Sequence, residues 1–379
     1  MRRSTLTLTL LGAAVAIATI TPPAAHARSG WSELPAASVG SGIDNELLAL
    51  DCAKERCTGI GLMGGSPDSG YPTIATLAPG ATSVTTRRIP GTARGTEAAE
   101  ISCPKPRWCM IVGSIHTNRP SDRTWAVVRH RTGWTSTRTP SPSNGARSQA
   151  YLTGVSCTST SKCVAVGHYF DSSSMLHGLL LRWNGDRWRS LSTPLIDDKF
   201  LDAIDCPSPR VCVIAADRGA ANQFLRLSGR TLTKVPGTSA GSEEYSQVNC
   251  VSTRWCAASG GTPGQSLPAI TSITPRRWQI HRVRTAVEAE AFTDLSCSAV
   301  RRCQAVGARI GSDGYYHPSV VRWRGGGTGS LTPLTTGNDI VGQSEAIACT
   351  TTRCVAVGQD YQRSSGSFLL QNRAWLQIR

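Results

Sequence analysis

Paired cysteines constrain this chain more than any other feature. The phrases LDCAKERC, ISCPKPRWC, VSCTSTSKC, IDCPSPRVC, VNCVSTRWC, LSCSAVRRC and IACTTTRC use all 14 cysteines of the sequence. Their first cysteines, at 52, 103, 157, 206, 250, 297 and 349, recur at intervals of 44 to 54 residues. A chain of 379 residues would ordinarily divide into two or more domains. A fixed period of this size points instead to one repeat architecture, whose units bury their apolar faces only against each other.

Each unit carries more than its cysteines. An apolar run follows the second Cys, then a polar loop, then a second apolar run such as GLLLRWNG, TWAVVRHR or FLLQNRA. A tight turn leads to an alternating stretch such as DRWRSLSTP, and a Pro or Gly cluster ends the unit. Short β-branched and aromatic runs bounded by turn residues read as strands. Asn184-Gly185 between two such runs signals a two-residue hairpin. Each unit thus offers four strands: A entering the first Cys, B leaving the second, C around the Leu/Val run and D around the Trp. The expectation is an all-β, seven-bladed β-propeller with four antiparallel strands per blade, occupying residues 28–379 as a single domain. A linear β-solenoid usually has shorter repeats and needs end caps, and no segment has sustained helical periodicity. The D-strand tryptophans Trp134, Trp188, Trp278 and Trp375 are expected to pack between blades. Closure is ambiguous, because SGWSELPAA near the start and AWLQIR at the end both resemble D strands.

In this frame the cysteines flank the A–B turn, where facing Cβ atoms lie close enough to bridge. The expected disulfides are Cys52–Cys57, Cys103–Cys109, Cys157–Cys163, Cys206–Cys212, Cys250–Cys256, Cys297–Cys303 and Cys349–Cys354. A zinc site would want a second ligand pair facing the first, and a redox dithiol would favour C-x-x-C. The Gly four residues after the second Cys (Gly61, Gly113, Gly167, Gly260, Gly307, Gly358) suits a bulge or a close backbone neighbour.

The amino terminus, MRRSTLTLTLLGAAVAIATITPPAAHA, has a positive start, an apolar stretch and a small-x-small site at Ala25-His26-Ala27. Residues 1–27 read as a secretory signal, and the protein as secreted. No later stretch approaches the roughly 20 apolar residues of a membrane span. Disulfides suit an extracellular compartment.

In a four-stranded meander the A–B and C–D turns share one face. The A–B turns carry Lys54, Arg56, Lys105, Arg107, Lys162, Arg210, Arg254, Arg301, Arg302 and Arg353. The C–D turns add Arg131, Arg187, Arg230, Arg276, Arg277, Arg324 and Arg373. The formal charge is +15, or about +13 without Arg2 and Arg3. This face is a candidate for an anionic cell-wall polymer, with Arg56, Arg107, Lys162, Arg210, Arg254, Arg302 and Arg353 as contacts; the alternative is a solvated surface. Nucleic acid is disfavoured, since the basic turns lack interleaved aromatics. The B–C loops on the opposite face gather Asp68, Asp171, Asp313 and Asp360 beside Tyr71, Tyr169, Tyr315, Tyr316 and Tyr361, with His168 and His317 close by. Carboxylates bond sugar hydroxyls and aromatic rings stack on sugar faces, so these loops are candidates for a glycan site. Ordinary polar turns are the alternative.

The SC-x4/5-C-x-AVG units with their WNGxxW turn resemble a group of secreted repeat proteins from high-GC Gram-positive bacteria. The resemblance spans residues 45–379 and implies a seven-bladed propeller without a shared activity. Similarity to sialidase-like propellers is topological only: Ser121-Asp122-Arg123-Thr124-Trp125 lacks the Gly and spacing of their S-x-D-x-G-x-T-W box. No G-x-S-x-G, H-E-x-x-H or dinucleotide fingerprint appears, and no cofactor is expected. The reading is a non-catalytic, lectin-like recognition module, suited to being a subunit of a larger extracellular assembly. A glycoside hydrolase or lyase of sialidase-like propeller type is the alternative.

Overall fold

The computed structural model describes residues 31–33, 36–37, 45–64, 70–81, 83–116, 122–140, 142, 149–191, 194–217, 222–237, 244–262, 267–284, 289–327, 329–334, 341–360 and 367–372. The signal-peptide reading of residues 1–27 and the AWLQIR strand, with Trp375, lie outside them. The fold is an all-β propeller whose blades are four-stranded antiparallel meanders with one disulfide each. In the Cys157 blade the strands are Gln149–Ser159, Lys162–Phe170, Leu176–Trp183 and Trp188–Ser190, in A–B–C–D order. The A strands of successive sheets touch in chain order, and the last, Gly342–Cys349, touches the first, Asn45–Ala53.

The expected seven uniform blades need correction. Six sheets have the plain four-stranded form, and the sheet holding Cys52–Cys57 has five strands. Its extra strand, Ala36–Ala37, runs parallel to the outer strand Val84–Arg88 and partners an edge that would otherwise present unpaired backbone groups. Closure also resolves at the amino-terminal side. Trp31–Glu33 pairs antiparallel with Ser367–Asn372 and takes the D position of the Cys349 sheet. Two distant stretches of chain therefore complete one blade.

Local chemistry explains the regularity. In five sheets the paired cysteines sit directly opposite each other across the A–B ladder, as Cys157 and Cys163 do. The seven Cα–Cα separations run from 3.9 to 4.1 Å. Covalent ties of this number indicate an oxidising environment. Among the described residues, no helix is long and apolar enough to cross a membrane. The post-Cys glycines stand opposite a one-residue bulge in the A strand, such as the shift between Leu152 and Gly154. A Cβ on Gly167 would lie 2.0 Å from the Tyr151 carbonyl oxygen, so no side chain fits there.

Packing is between sheets. Val164, Val166 and Leu180 of the Cys157 sheet meet Ile204, Ile214 and Leu225 of the next. Buried Trp188 donates its indole N–H to Thr137 on the preceding sheet at 3.1 Å, and Trp278 packs edge-on to Phe224. Trp31 plays this part at the closure, buried with Val306, Val320, Leu334 and Ile347. Trp31→Ala is expected to lower unfolding stability by about 3–5 kcal/mol, read from urea midpoints, with Trp31→Phe recovering most of it. An unchanged midpoint for the alanine variant would mean that this strand does not close the ring.

Candidate functional site: an axial channel between two unlike faces

The A strands are the inner edges of their sheets, so some of their backbone N–H groups face the axis without a ladder partner. The residue before the first cysteine supplies an acceptor for them at six of the seven junctions. The Cys103 amide donates to Asp51 Oδ2 at 2.5 Å, that of Cys157 to Ser102 Oγ at 3.0 Å, and that of Cys206 to Ser156 Oγ at 2.9 Å. The Cys250 amide donates to Asp205 Oδ2 at 2.7 Å, that of Cys297 to Asn249 Oδ1 at 3.0 Å, and that of Cys349 to Ser296 Oγ at 3.1 Å. Each bond joins one sheet to the next. At the remaining junction the position is Ala348, which has no acceptor in its side chain, and the Cys52 amide turns to its own neighbour, Asp51 Oδ1, at 2.7 Å.

That junction is held differently. Arg353, expected among the polyanion contacts, is instead buried and donates Nη2 to the Glu55 carbonyl oxygen across the junction. Its Nε lies 3.9 Å from Glu55 Oε2, which also accepts from Thr350 Oγ1 at 3.1 Å. Arg353 is thus a clasp between the last sheet and the first, withdrawn from the basic surface by its carboxylate partner.

The axial cavity of about 250 Å³ gathers carboxylates. Asp51, Glu100, Asp205 and Asp294 all line it. Glu100 Oε2 accepts from Gln247 Nε2 at 2.9 Å, a bond between non-adjacent sheets across the axis. Burial raises all four pKa values, against the backbone hydrogen bonds that lower them: Asp51 to about 6, Glu100 to about 7, Asp205 upward and Asp294 well upward. Nearer the polar mouth, Asp202 on the bulge of its A strand is pushed up to about 7 by burial, then by Asp217 and Glu244.

The structure disperses the predicted B–C loop residues over several sheets. Asp171 holds its own loop, accepting from Ser173 N at 2.8 Å, Met175 N at 2.9 Å and His177 Nε2 at 3.2 Å. Asp313 does the same, accepting from Tyr315 N at 3.1 Å and from the buried His317 at 3.0 Å. These bonds hold both carboxyls below their ordinary range: that to Met175 leads for Asp171, that to His317 for Asp313. Tyr315 and Tyr316 are exposed, with the Tyr316 hydroxyl donating to Glu290 at 3.0 Å. Tyr71 lies under the Arg88 guanidinium, 3.6 Å from the ring centroid. Asp360 is buried, and Asp68 and Tyr361 lie outside the described residues.

His168 belongs to an aromatic group whose other members were not among the expected site residues. Half-buried Tyr151, His168, Phe170 and Phe200 touch in series, with ring centroids 4.7 to 6.2 Å apart. Burial lowers the His168 pKa to about 4, leaving a neutral ring at physiological pH. Beside them Tyr169 stacks on His177 at 4.8 Å. The Tyr151 hydroxyl donates to Asp122 Oδ2 at 2.7 Å, and His116 bridges Asp122 and Glu97 at 3.3 and 2.8 Å. Tyr151 and Phe200 each stand six residues before a first cysteine, a position the alignment of units could have singled out. On the basic face Arg107, Lys162, Arg210, Arg254 and Arg302 are exposed and Arg56 is half-buried. Among the described residues, no three His, Cys, Asp or Glu side chains are grouped so as to hold a metal ion.

No family model matches the chain, and no curated protein matches it. Solved structures match in fold. YCF48 bound to a D1 peptide superposes with a TM-score of 0.53 at 11% identity, over 90% of this chain and 96% of that one. YCF48 from Cyanidioschyzon merolae gives 0.53 at 13% identity, over 90% and 98%. A Trypanosoma rangeli sialidase in complex with 2,3-difluorosialic acid gives 0.48 at 8% identity, over 87% of this chain and 54% of its own. At these identities the likeness is one of propeller fold.

Raised carboxyl pKa values link stability to pH. Between the ordinary carboxyl range near 4 and the native values near 6 to 7, the folded chain keeps protons that the unfolded chain releases. Stability from these groups is therefore full at low pH and declines as pH rises through about 6 to 7. His168 runs the other way, losing stability as pH falls from 6.5 towards 4. Asp202→Asn should leave the His168 limb intact and flatten the decline between pH 5 and 8, read from urea midpoints at several pH values. An unchanged slope in that variant would show that Asp202 titrates normally.

Proposed function

We propose that the chain is a secreted, non-catalytic recognition module, lectin-like, that binds a glycan on its polar face and an anionic cell-surface polymer on its basic face. In this reading residues 1–27 are the export signal, and the five-stranded sheet counts as a seventh blade. The observation that carries the glycan assignment is the half-buried series Tyr151–His168–Phe170–Phe200 at the polar mouth. Flat, uncharged rings suit the apolar face of a sugar, and Glu97, Asp122 and Asp171 nearby supply acceptors for its hydroxyls. YCF48, similar in fold, is seen bound to a peptide, which supports a protein partner and a place in a larger assembly. The resemblance to secreted propellers of high-GC Gram-positive bacteria agrees with cell-wall material as the polymer.

A glycan array paired with a hydrolysis screen tests the first half. Saturable binding without turnover is expected, and Tyr151→Ala or Phe200→Ala should weaken it about tenfold, the worth of one lost aromatic contact. Turnover abolished by one carboxylate substitution would replace this reading with a glycoside hydrolase or lyase.

Binding to purified cell walls tests the second half. Retention should fall steeply with salt, because the screening length is only about 8 Å at physiological ionic strength. Reversing Arg107, Arg210, Arg254 and Arg302 to Glu together should abolish it while sparing the glycan site. Full retention by that folded variant would make the charge a solvated surface.

A further inference from the structure

A cleft of about 430 Å³ between the Cys157 and Cys206 sheets opens on the basic face. Lys162, Arg182, Arg189 and Arg230 line it, and the described residues of the lining include no carboxylate. Hairpin register is the cause. The phrase RWNGDRWR turns about Gly185-Asp186, with the Asn184 amide donating to the Arg187 carbonyl oxygen at 3.3 Å, so that Trp183 faces Trp188 and Arg182 faces Arg189. Like charges directly opposite on an antiparallel pair are destabilising.

Other sheets avoid this. The corresponding C-strand arginines face hydroxyl residues: Arg226 opposite Thr233, and Arg322 opposite Ser330. Arg129 of the Cys103 sheet reaches Thr58 and Thr76 hydroxyls at 3.4 and 3.1 Å. Arg182 donates Nη2 to the Gly229 carbonyl oxygen of the next sheet, but its buried Nε has no partner. Burial, then Arg230, lowers its pKa. Guanidinium groups stay charged in proteins, so this crowding persists as repulsion until an anion relieves it.

We propose that this cleft binds a phosphoryl group, carried by a small phosphate ester or by the phosphodiester of a wall polymer. Cations reach the space from two sheets, and Ser190 and Ser208 add hydroxyl donors. A tetrahedral, multiply charged group can accept from all of them at once, whereas one planar carboxylate occupies a single guanidinium fork. The site is independent of the glycan reading; it shares Lys162 with the wider basic surface, but Arg107, Arg210, Arg254 and Arg302 do not line it.

Calorimetric titration of the full disulfide-bonded chain tests this at constant ionic strength. Inorganic phosphate should bind saturably and about tenfold more tightly than acetate, as expected for a doubly charged, multiply bonded ion. Arg189→Thr copies the Arg226–Thr233 pairing; it should weaken phosphate about tenfold and leave the ligand-free protein at least as stable. Arg182→Gln should weaken phosphate as well, and Arg107→Glu should not. A parallel titration with a glycerol phosphate oligomer identifies the source: tighter binding than phosphate assigns the polymer, weaker binding a small ester. No saturable phosphate binding, or wild-type affinity in both cleft variants, overturns the proposal, whatever the quadruple variant does on cell walls.

Discussion

The hydrogen bond from a first-cysteine amide to the residue preceding the first cysteine of the previous unit, made at six of the seven junctions, organises this molecule. A propeller must satisfy the inner edge of every A strand, because those backbone groups face other sheets rather than a ladder partner. Here Asp51, Ser102, Ser156, Asp205, Asn249 and Ser296 meet that demand with one side chain each. A neutral bond of this kind contributes about 0.5–1.5 kcal/mol and one to a charged group about 1.5–3. The larger effect is geometric: the bonds set the angle between sheets, and with it the apposition of the inter-sheet cores. Where Ala348 interrupts the series, Arg353 and Glu55 restore a tie of a different kind.

That solution places carboxylates in a confined channel. Asp205 shows the compromise: it accepts from two cysteine amides and from Ser156 Oγ, yet burial still raises its pKa. Its partners are dipoles rather than cations, so the hydrogen bonds offset only part of the desolvation. Serine at the equivalent position of other units makes the inter-sheet bond without that cost. The channel therefore couples the cohesion of the ring to the protonation of a few acids, and Glu100, reaching Gln247 across the axis, does so over the widest span.

Much of this was legible in the residues. The disulfide pairing and the small residue opposite the bulge follow from local spacing, whereas the hairpin expected at Asn184-Gly185 turns one residue later, about Gly185-Asp186, because Asn184 itself pairs with Arg187. The Ser, Asp or Asn before six of the first cysteines was equally visible, but its role needs the next sheet in place. Closure was not legible, since pairing of Trp31–Glu33 with Ser367–Asn372 depends on the ends meeting around a full ring. Arg353 looked like its neighbours because the turn residues are alike; Glu55, 298 positions away, and the Ala78 carbonyl oxygen set it apart. Asp171 and Asp313 pointed to ligand contacts by composition, although His177 and His317 a few residues on were already positioned to bond them.

The distribution of charge bears on why every blade carries its own disulfide. Topology sends all A–B and C–D turns to one face, and every A–B turn and most C–D turns carry Lys or Arg, so the arrangement concentrates like charge at the hairpin tips. Arg107, Arg210, Arg254 and Arg302 each stand between paired cysteines, at the point where repulsion would splay the two strands. A cross-link closing so short a loop removes little chain entropy, roughly 2 kcal/mol in the usual treatment. Its more direct effect is to stop the charged tip from opening. The Cys157 blade adds a directly opposed pair, with Lys162 in the A–B turn and Arg182 facing Arg189 across the next hairpin. The covalent staple thus permits a cationic surface denser than strand pairing alone would hold, which is what recognition of a multivalent anion requires.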